Sequence, residues 1–169
     1  MLPTRVVLAV LALGATAAAA ALCLRTGPIA GGLAAMWLLA TLRLAFLGFR
    51  RVLRRRPSDA AETAIDLALM ALPVGGAWFV ASRLGLEPMG FREPIVLLTA
   101  VHFHHAAFVA LVWTGCAARR LPASPARRIA GAGVAGGTPL LGAGITVKPW
   151  AEPGGALATA RPSRNRSPR

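Results

Sequence analysis

Residues 94–118 read PIVLLTAVHFHHAAFVALVWTGCAA, an apolar segment without Asp, Glu, Lys or Arg. A segment of this length is sufficient for one α-helix to cross the hydrocarbon core of a bilayer. All three histidines of the chain, His102, His104 and His105, lie within it. We therefore expect the imidazoles to lie near the membrane midplane, where an ionisable cluster indicates a functional site by default.

The composition of the whole chain indicates a polytopic membrane protein. Of its 169 residues 56% are hydrophobic, and 19 Lys and Arg stand against six Asp and Glu. A net charge of +13 is also typical of nucleic-acid-binding proteins, but most of these arginines lie at the ends of apolar runs. There they act as topology signals and as contacts for anionic lipid headgroups, so we expect a lipid bilayer and no nucleic acid as partner.

Three further apolar runs predict membrane-spanning helices. Residues 6–24 are either a first helix or a cleaved signal peptide, and we favour the uncleaved helix. Residues 27–49 and 61–81 form the second and third spans, and five arginines lie within the seven residues 50–56 between them. Because 94–118 also ends at a basic stretch, both basic stretches are predicted to face the cytoplasm.

A fifth run, residues 129–147, is apolar but rich in glycine, and residues 148–169 form a tail rich in Arg, Pro, Gly and Ser. Such a run suits a tightly packed or broken helix, whereas the tail lacks apolar periodicity and is predicted to be disordered. The predicted fold is therefore an all-α membrane protein in the plasma membrane. It consists of one bundle of four to five transmembrane helices over residues 1–147 and the basic tail. Whether the fifth run spans, and on which side the tail lies, stays open.

Two charged residues fall inside the predicted spans. Arg43 and Asp66 lie at similar depths in neighbouring helices when each residue adds about 1.5 Å of rise. Either charge alone is costly in the membrane, so an Arg43–Asp66 pair is predicted, with snorkelling of Arg43 to the surface as the alternative.

The three histidines do not share one helix face. At about 100° per residue, His102 and His105 lie about 60° apart, whereas His104 is about 160° from His102. Imidazoles bind metals and titrate near neutral pH, so the cluster suits a small ligand, a proton or a metal. Pro73 offers another explanation, because a proline frees the carbonyl of Leu69 as a hydrogen-bond acceptor for a buried imidazole.

Residues 91–104, FREPIVLLTAVHFH, together with Phe108, resemble the signature of the YndJ-like bacterial integral membrane proteins, approximately FxEPIVxLTAVHFHYAGF. The similarity extends over roughly residues 27–146. It implies a polytopic protein of the bacterial plasma membrane and no particular reaction. Family members continue with more membrane sequence where this chain has its basic tail, which implies a shortened or frame-altered copy.

The chain departs from this signature at His105 and Ala107, where the family pattern has Tyr and Gly. The resemblance therefore implies that the histidines to carry over are His102 and His104. Glu93 and Thr99 are further candidate polar contacts, although Glu93 also suits a helix start because of the helix dipole.

Two functions follow from these patterns. The first is binding of a small ligand, proton or metal within the membrane, for transport or sensing. The second is a structural or accessory role, in which the histidines satisfy helix contacts and partners dock on the GxxxG faces at Gly27/Gly31 and Gly133/Gly137. A homo-oligomer or another membrane protein would be the partner. The sequence names no cofactor, and an enzyme is less expected than either role because the chain has few catalytic groups.

Overall fold

A computed structural model of the chain describes residues 4–54 and 60–120 and the single positions 122, 124, 125, 133, 136 and 137. The main helices are α1 (Thr4–Cys23), α2 (Pro28–Arg54) and α3 (Ala60–Leu84). A short 3₁₀ turn, Pro88–Gly90, precedes α4 (Ile95–His102), a π-helical segment (Phe103–Val109) and α5 (Ala110–Arg120). These last three elements run on without a break and form the fourth span.

The predicted class, an all-α membrane bundle, is confirmed. Four stretches in the described part of the chain are long and apolar enough to cross a membrane: Arg5–Cys23, Pro28–Arg54, Ala61–Leu84 and Ile95–Arg120. Of the predicted fifth run only positions 133, 136 and 137 are described, and the tail 148–169 lies outside the described residues.

The second span is longer than the sequence suggested, because α2 continues from Phe49 to Arg54. Arginine is a good helix former, and its long side chain reaches the membrane surface from the last turns of a helix. At the opposite end Gly27, with φ 154°, precedes Pro28 at the helix start. The Gly27 N–H donates to the Arg83 carbonyl at 2.8 Å and so ties the start of α2 to the end of α3.

The helices pack through small side chains. Ala21, Ala34 and Ala100 are buried with Phe79 in one cluster that draws on all four spans. Gly31 is buried, and a methyl group there would overlap Leu84 of α3. This glycine is therefore used for packing within the chain, where α2 meets the Leu84 side chain of α3.

The outer surface of the bundle is apolar. Trp113 is 73% exposed, Leu98 67% and Leu13 63%, and other large apolar side chains are exposed on every span. A soluble monomer rarely exposes apolar patches on this scale. Such a surface is what contact with lipid acyl chains requires.

One end of the bundle collects charge, and we call it the basic end: there α2 and α5 finish and α3 begins. Glu62, in the first turn of α3, bonds Arg51 of α2 at 2.8 Å and accepts a hydrogen bond from Nε of Arg119 at 2.7 Å. The two predicted basic stretches therefore begin at the same end of the bundle, as one shared side of a membrane requires.

Candidate functional site

His104 forms a polar contact between α2 and the fourth span. The indole Nε1–H of Trp37, on α2, donates to His104 Nε2 at 2.8 Å, and the two rings stack with their centroids 5.8 Å apart. On the other side of the imidazole, Nδ1 lies 2.7 Å from the carbonyl oxygen of Ala100. Because an indole nitrogen can only donate, Nε2 must accept, and Nδ1 therefore carries the proton that is donated to Ala100. His104 is thus a neutral imidazole with both nitrogens engaged.

Room for this imidazole comes from a glycine on α3. A methyl group at Gly75 would lie 2.5 Å from His104 Nδ1 and 3.0 Å from the Ala100 carbonyl oxygen. The adjacent Gly76 faces α2 in the same way, 3.1 Å from the hydroxyl of Thr41. The two glycines therefore make a notch in α3 that admits the fourth span on one side and α2 on the other.

The histidines lie where the fourth span changes its helical geometry. His102 ends α4, and His104 and His105 lie in the π-helical segment. Each residue of a π-helix adds a smaller rotation about the helix axis than a residue of an α-helix. The angles between the histidines that were expected for a regular α-helix therefore do not hold beyond His102. Single π turns are rare and occur frequently at functional sites.

The other two histidines have separate surroundings. His105 is exposed, and its Nδ1 lies 3.1 Å from the Val101 carbonyl oxygen. His102 is half-buried and meets Phe103 edge to face at 5.9 Å. Among the described residues no group of three or more His, Cys, Asp or Glu side chains could hold a metal ion.

The His104 imidazole donates to the Ala100 carbonyl of its own span. It does not use the Leu69 carbonyl, which the position of Pro73 suggested as the acceptor. Helical side chains point back toward the helix N-terminus, and this direction brings the His104 ring to the carbonyl one turn earlier. The remaining candidates are also satisfied locally. The Leu97 N–H donates to Glu93 at 3.3 Å, and the Thr99 hydroxyl donates to the Ile95 carbonyl at 2.8 Å.

Asp66 has a different partner from the predicted one. The Asp66 carboxylate lies 2.8 Å from Nε of Arg51, and the Asp66 side chain is only 2% exposed. Arg43, in contrast, is exposed. The reason is the rotation of α2. It approaches the α3 backbone closely at Gly48, where a methyl group would lie 2.7 Å from the Asp66 carbonyl oxygen. Arg51 is about 60° from Gly48 around the axis, but Arg43 is about 140° away.

Sequence reasoning missed Trp37 and Gly75, which complete the site. The signals are present: an indole in mid-span needs an acceptor for its N–H, and a Gly-Gly pair two residues after Pro73 indicates a close backbone approach. Their pairing with His104 depends on how the helices are rotated against each other.

These features define a multi-span α-helical membrane protein with a part-buried Trp–His contact between two of its spans. The chain belongs to the YndJ-like family, whose model matches residues 2–161. The family expected from residues 91–104 is therefore confirmed. The chain is also 35% identical over 91 residues to the "Uncharacterized membrane protein YndJ" of Bacillus subtilis (strain 168). That alignment spans 54% of this chain and 17% of the Bacillus protein. No solved structure matches the chain.

Proposed function

We propose that this chain is a structural or accessory module of the bacterial plasma membrane, in which the central histidine joins helices and binds no ligand. The observation that carries this proposal is the pair of hydrogen bonds at His104, one to Trp37 and one to Ala100. Its relatives support the bacterial membrane: the family is YndJ-like and the Bacillus protein is called a membrane protein.

Metal binding and proton binding at His104 both conflict with its present contacts. A metal ion binds a lone pair of a neutral imidazole, but the lone pair on Nε2 already accepts the Trp37 N–H. A second proton on Nε2 would point at the indole N–H, which cannot accept it. Metal or proton binding would therefore first have to break the contact between α2 and the fourth span.

Binding of a small ligand, proton or metal is the second candidate function, and the π-helical segment favours it. His105 lies in this segment and is exposed, so a partner molecule could reach its ring. Transport or sensing would then depend on His102 and His105 more than on His104.

Alanine substitutions at two neighbouring histidines separate these functions. His104→Ala should lower the amount of folded protein in the membrane and its melting temperature in detergent, because Trp37 loses its acceptor and the notch at Gly75 is left empty. His105→Ala is the matched control, one residue away and exposed, and it should change neither quantity.

The metal content of the purified protein, measured by inductively coupled plasma mass spectrometry, completes the test. We expect less than one metal ion per chain. A stoichiometric metal that His104→Ala removes, at normal protein amount and unchanged melting temperature, would overturn the structural proposal.

A further inference from the structure

Three arginines share one outward face of α2. Arg43, Arg50 and Arg54 are exposed, and their spacing puts them within about 40° of one another around the helix axis. Arg43 lies about 10 Å further into the bundle than Arg50. We call these three residues the α2 arginine face.

No carboxylate in the described part of the chain lies at ion-pair distance from the α2 arginine face. The acidic side chains at the basic end, Glu62 and Asp66, belong to α3 and bond Arg51, which is rotated by about 100° from Arg50. The charge on the outward face is therefore not neutralised by this neighbouring helix. An uncompensated arginine within a span is costly, so an anion from outside the protein would stabilise it.

Arg50 is turned along the helix toward Arg43. Its guanidinium lies over the ring of Phe46, 5.7 Å from the centroid. Phe46 is one turn nearer to the middle of the span, so this cation–π contact holds the Arg50 charge back from the end of the helix. Two long cationic side chains on one face are then available to a single group between them.

The same face continues as an apolar track. Met36 and Leu39 precede Arg43 on the outward side, with exposures of 46% and 63%. A molecule that fits both parts needs an anionic group at the basic end and a hydrocarbon chain directed toward the middle of the membrane. A free phosphate ion would use only the arginines.

We propose that the α2 arginine face binds the phosphate group of an anionic phospholipid, with an acyl chain lying along Met36 and Leu39. Arginine suits this role because its planar guanidinium donates two parallel hydrogen bonds to phosphate oxygens. The site is independent of the Trp37–His104 contact, so it stands whether or not His104 binds a ligand.

The test is native mass spectrometry of the detergent-solubilised chain titrated with phosphatidylglycerol or phosphatidylcholine. The wild type should bind phosphatidylglycerol at least tenfold more tightly. Each basic side chain near an anionic membrane surface contributes about fivefold in affinity, so the double variant Arg43→Gln/Arg50→Gln should lose roughly 25-fold. The matched control, Arg25→Gln/Arg92→Gln, removes the same charge from exposed arginines at the opposite end of the bundle and should stay within about twofold of wild type, because charges separated by more than a Debye length are screened.

Equal binding of the two lipids by the wild type would overturn the proposal, and so would an equal loss in the control variant. Complete displacement of phosphatidylglycerol by excess inorganic phosphate would overturn the lipid assignment, because the acyl chain would then contribute nothing. If the glutamine variant does not fold, Arg43→Lys/Arg50→Lys keeps the charge and removes the paired hydrogen bonds. It should still prefer phosphatidylglycerol, but by less than the wild type does. A preference as strong as that of the wild type would contradict the role of the paired arginine hydrogen bonds.

Discussion

Trp37→Phe tests the central contact with the smallest change of shape. The substitution removes the N–H that donates to His104 and keeps an aromatic ring in the stacked position, 5.8 Å from the imidazole centroid. The His104 ring would still donate to Ala100, but its Nε2 would have no partner in the contact described. Any loss of stability therefore reports mainly on one hydrogen bond between α2 and the fourth span.

The expected magnitude follows from the environment of this bond. Hydrogen bonds between membrane helices contribute about 0.6 kcal/mol on average and up to about 1.7 kcal/mol. The Trp37–His104 bond is short and part-buried, with donor and acceptor 2.8 Å apart. We therefore expect Trp37→Phe to lower the free energy of unfolding by about 1 to 1.5 kcal/mol.

Gly75→Ala tests the packing of α3 against the same imidazole. The added methyl would lie 2.5 Å from Nδ1, so the ring must move, and overpacking of this kind costs about 1 to 3 kcal/mol. The Trp37→Phe change frees the ring on its other side and should reduce that cost. The double variant should therefore be less destabilised than the sum of the single variants, by at least about 0.5 kcal/mol.

The assay is unfolding by sodium dodecyl sulfate in mixed micelles, followed by far-UV circular dichroism so that loss of an indole does not affect the signal. Trp113→Phe is the matched control for Trp37→Phe, since Trp113 is 73% exposed. Gly32→Ala is the control for Gly75→Ala, because a methyl at Gly32 meets nothing within 4 Å. Equal stability of Trp37→Phe and Trp113→Phe to within about 0.3 kcal/mol would refute the hydrogen-bond reasoning.

Two further predictions concern the basic end. Glu62→Gln should lower the free energy of unfolding by about 1 kcal/mol, because it weakens the bonds to two arginines on different helices, and the loss should shrink at high salt. Gly48→Ala should cost about 1 to 3 kcal/mol, since its methyl would lie 2.7 Å from the Asp66 carbonyl oxygen, whereas Gly32→Ala on the same helix should cost nothing. Denaturation in micelles measures both, and no loss in Gly48→Ala would contradict the close packing of α2 on α3.

Sequence was sufficient to recognise the four described spans as apolar helices, because this property depends on local composition. An apolar run of about twenty residues has to be helical in a membrane whatever its neighbours are. The prediction of a polar centre in 94–118 rests on the same ground, because the cost of an imidazole in hydrocarbon depends on the residue type and its depth. These conclusions needed no knowledge of how one helix meets another.

Contacts between helices were beyond the sequence because they depend on rotation. Asp66 was predicted to pair with Arg43 because the two residues lie at similar depths. The face of α2 that meets α3, however, carries Gly48 and Arg51. The π-helical segment changes the rotation of every later residue in the fourth span about the helix axis. No local sequence pattern predicted this segment. Trp37 could be recognised as a residue that needs an acceptor, but not as the residue that meets His104.

The arrangement of the helices therefore rests on a few specific contacts. Within lipid, apolar side chains gain little by leaving acyl chains for one another, so close packing and polar bonds select which helix faces meet. In this bundle Gly75 and Gly48 supply close approaches, at the His104 ring and at the Asp66 backbone respectively. A polar contact accompanies each one: the hydrogen bond from Trp37 in the first case and the ion pair between Arg51 and Asp66 in the second. Under the proposed structural role, His104 serves the fold, because its removal would take away the hydrogen bond between α2 and the fourth span.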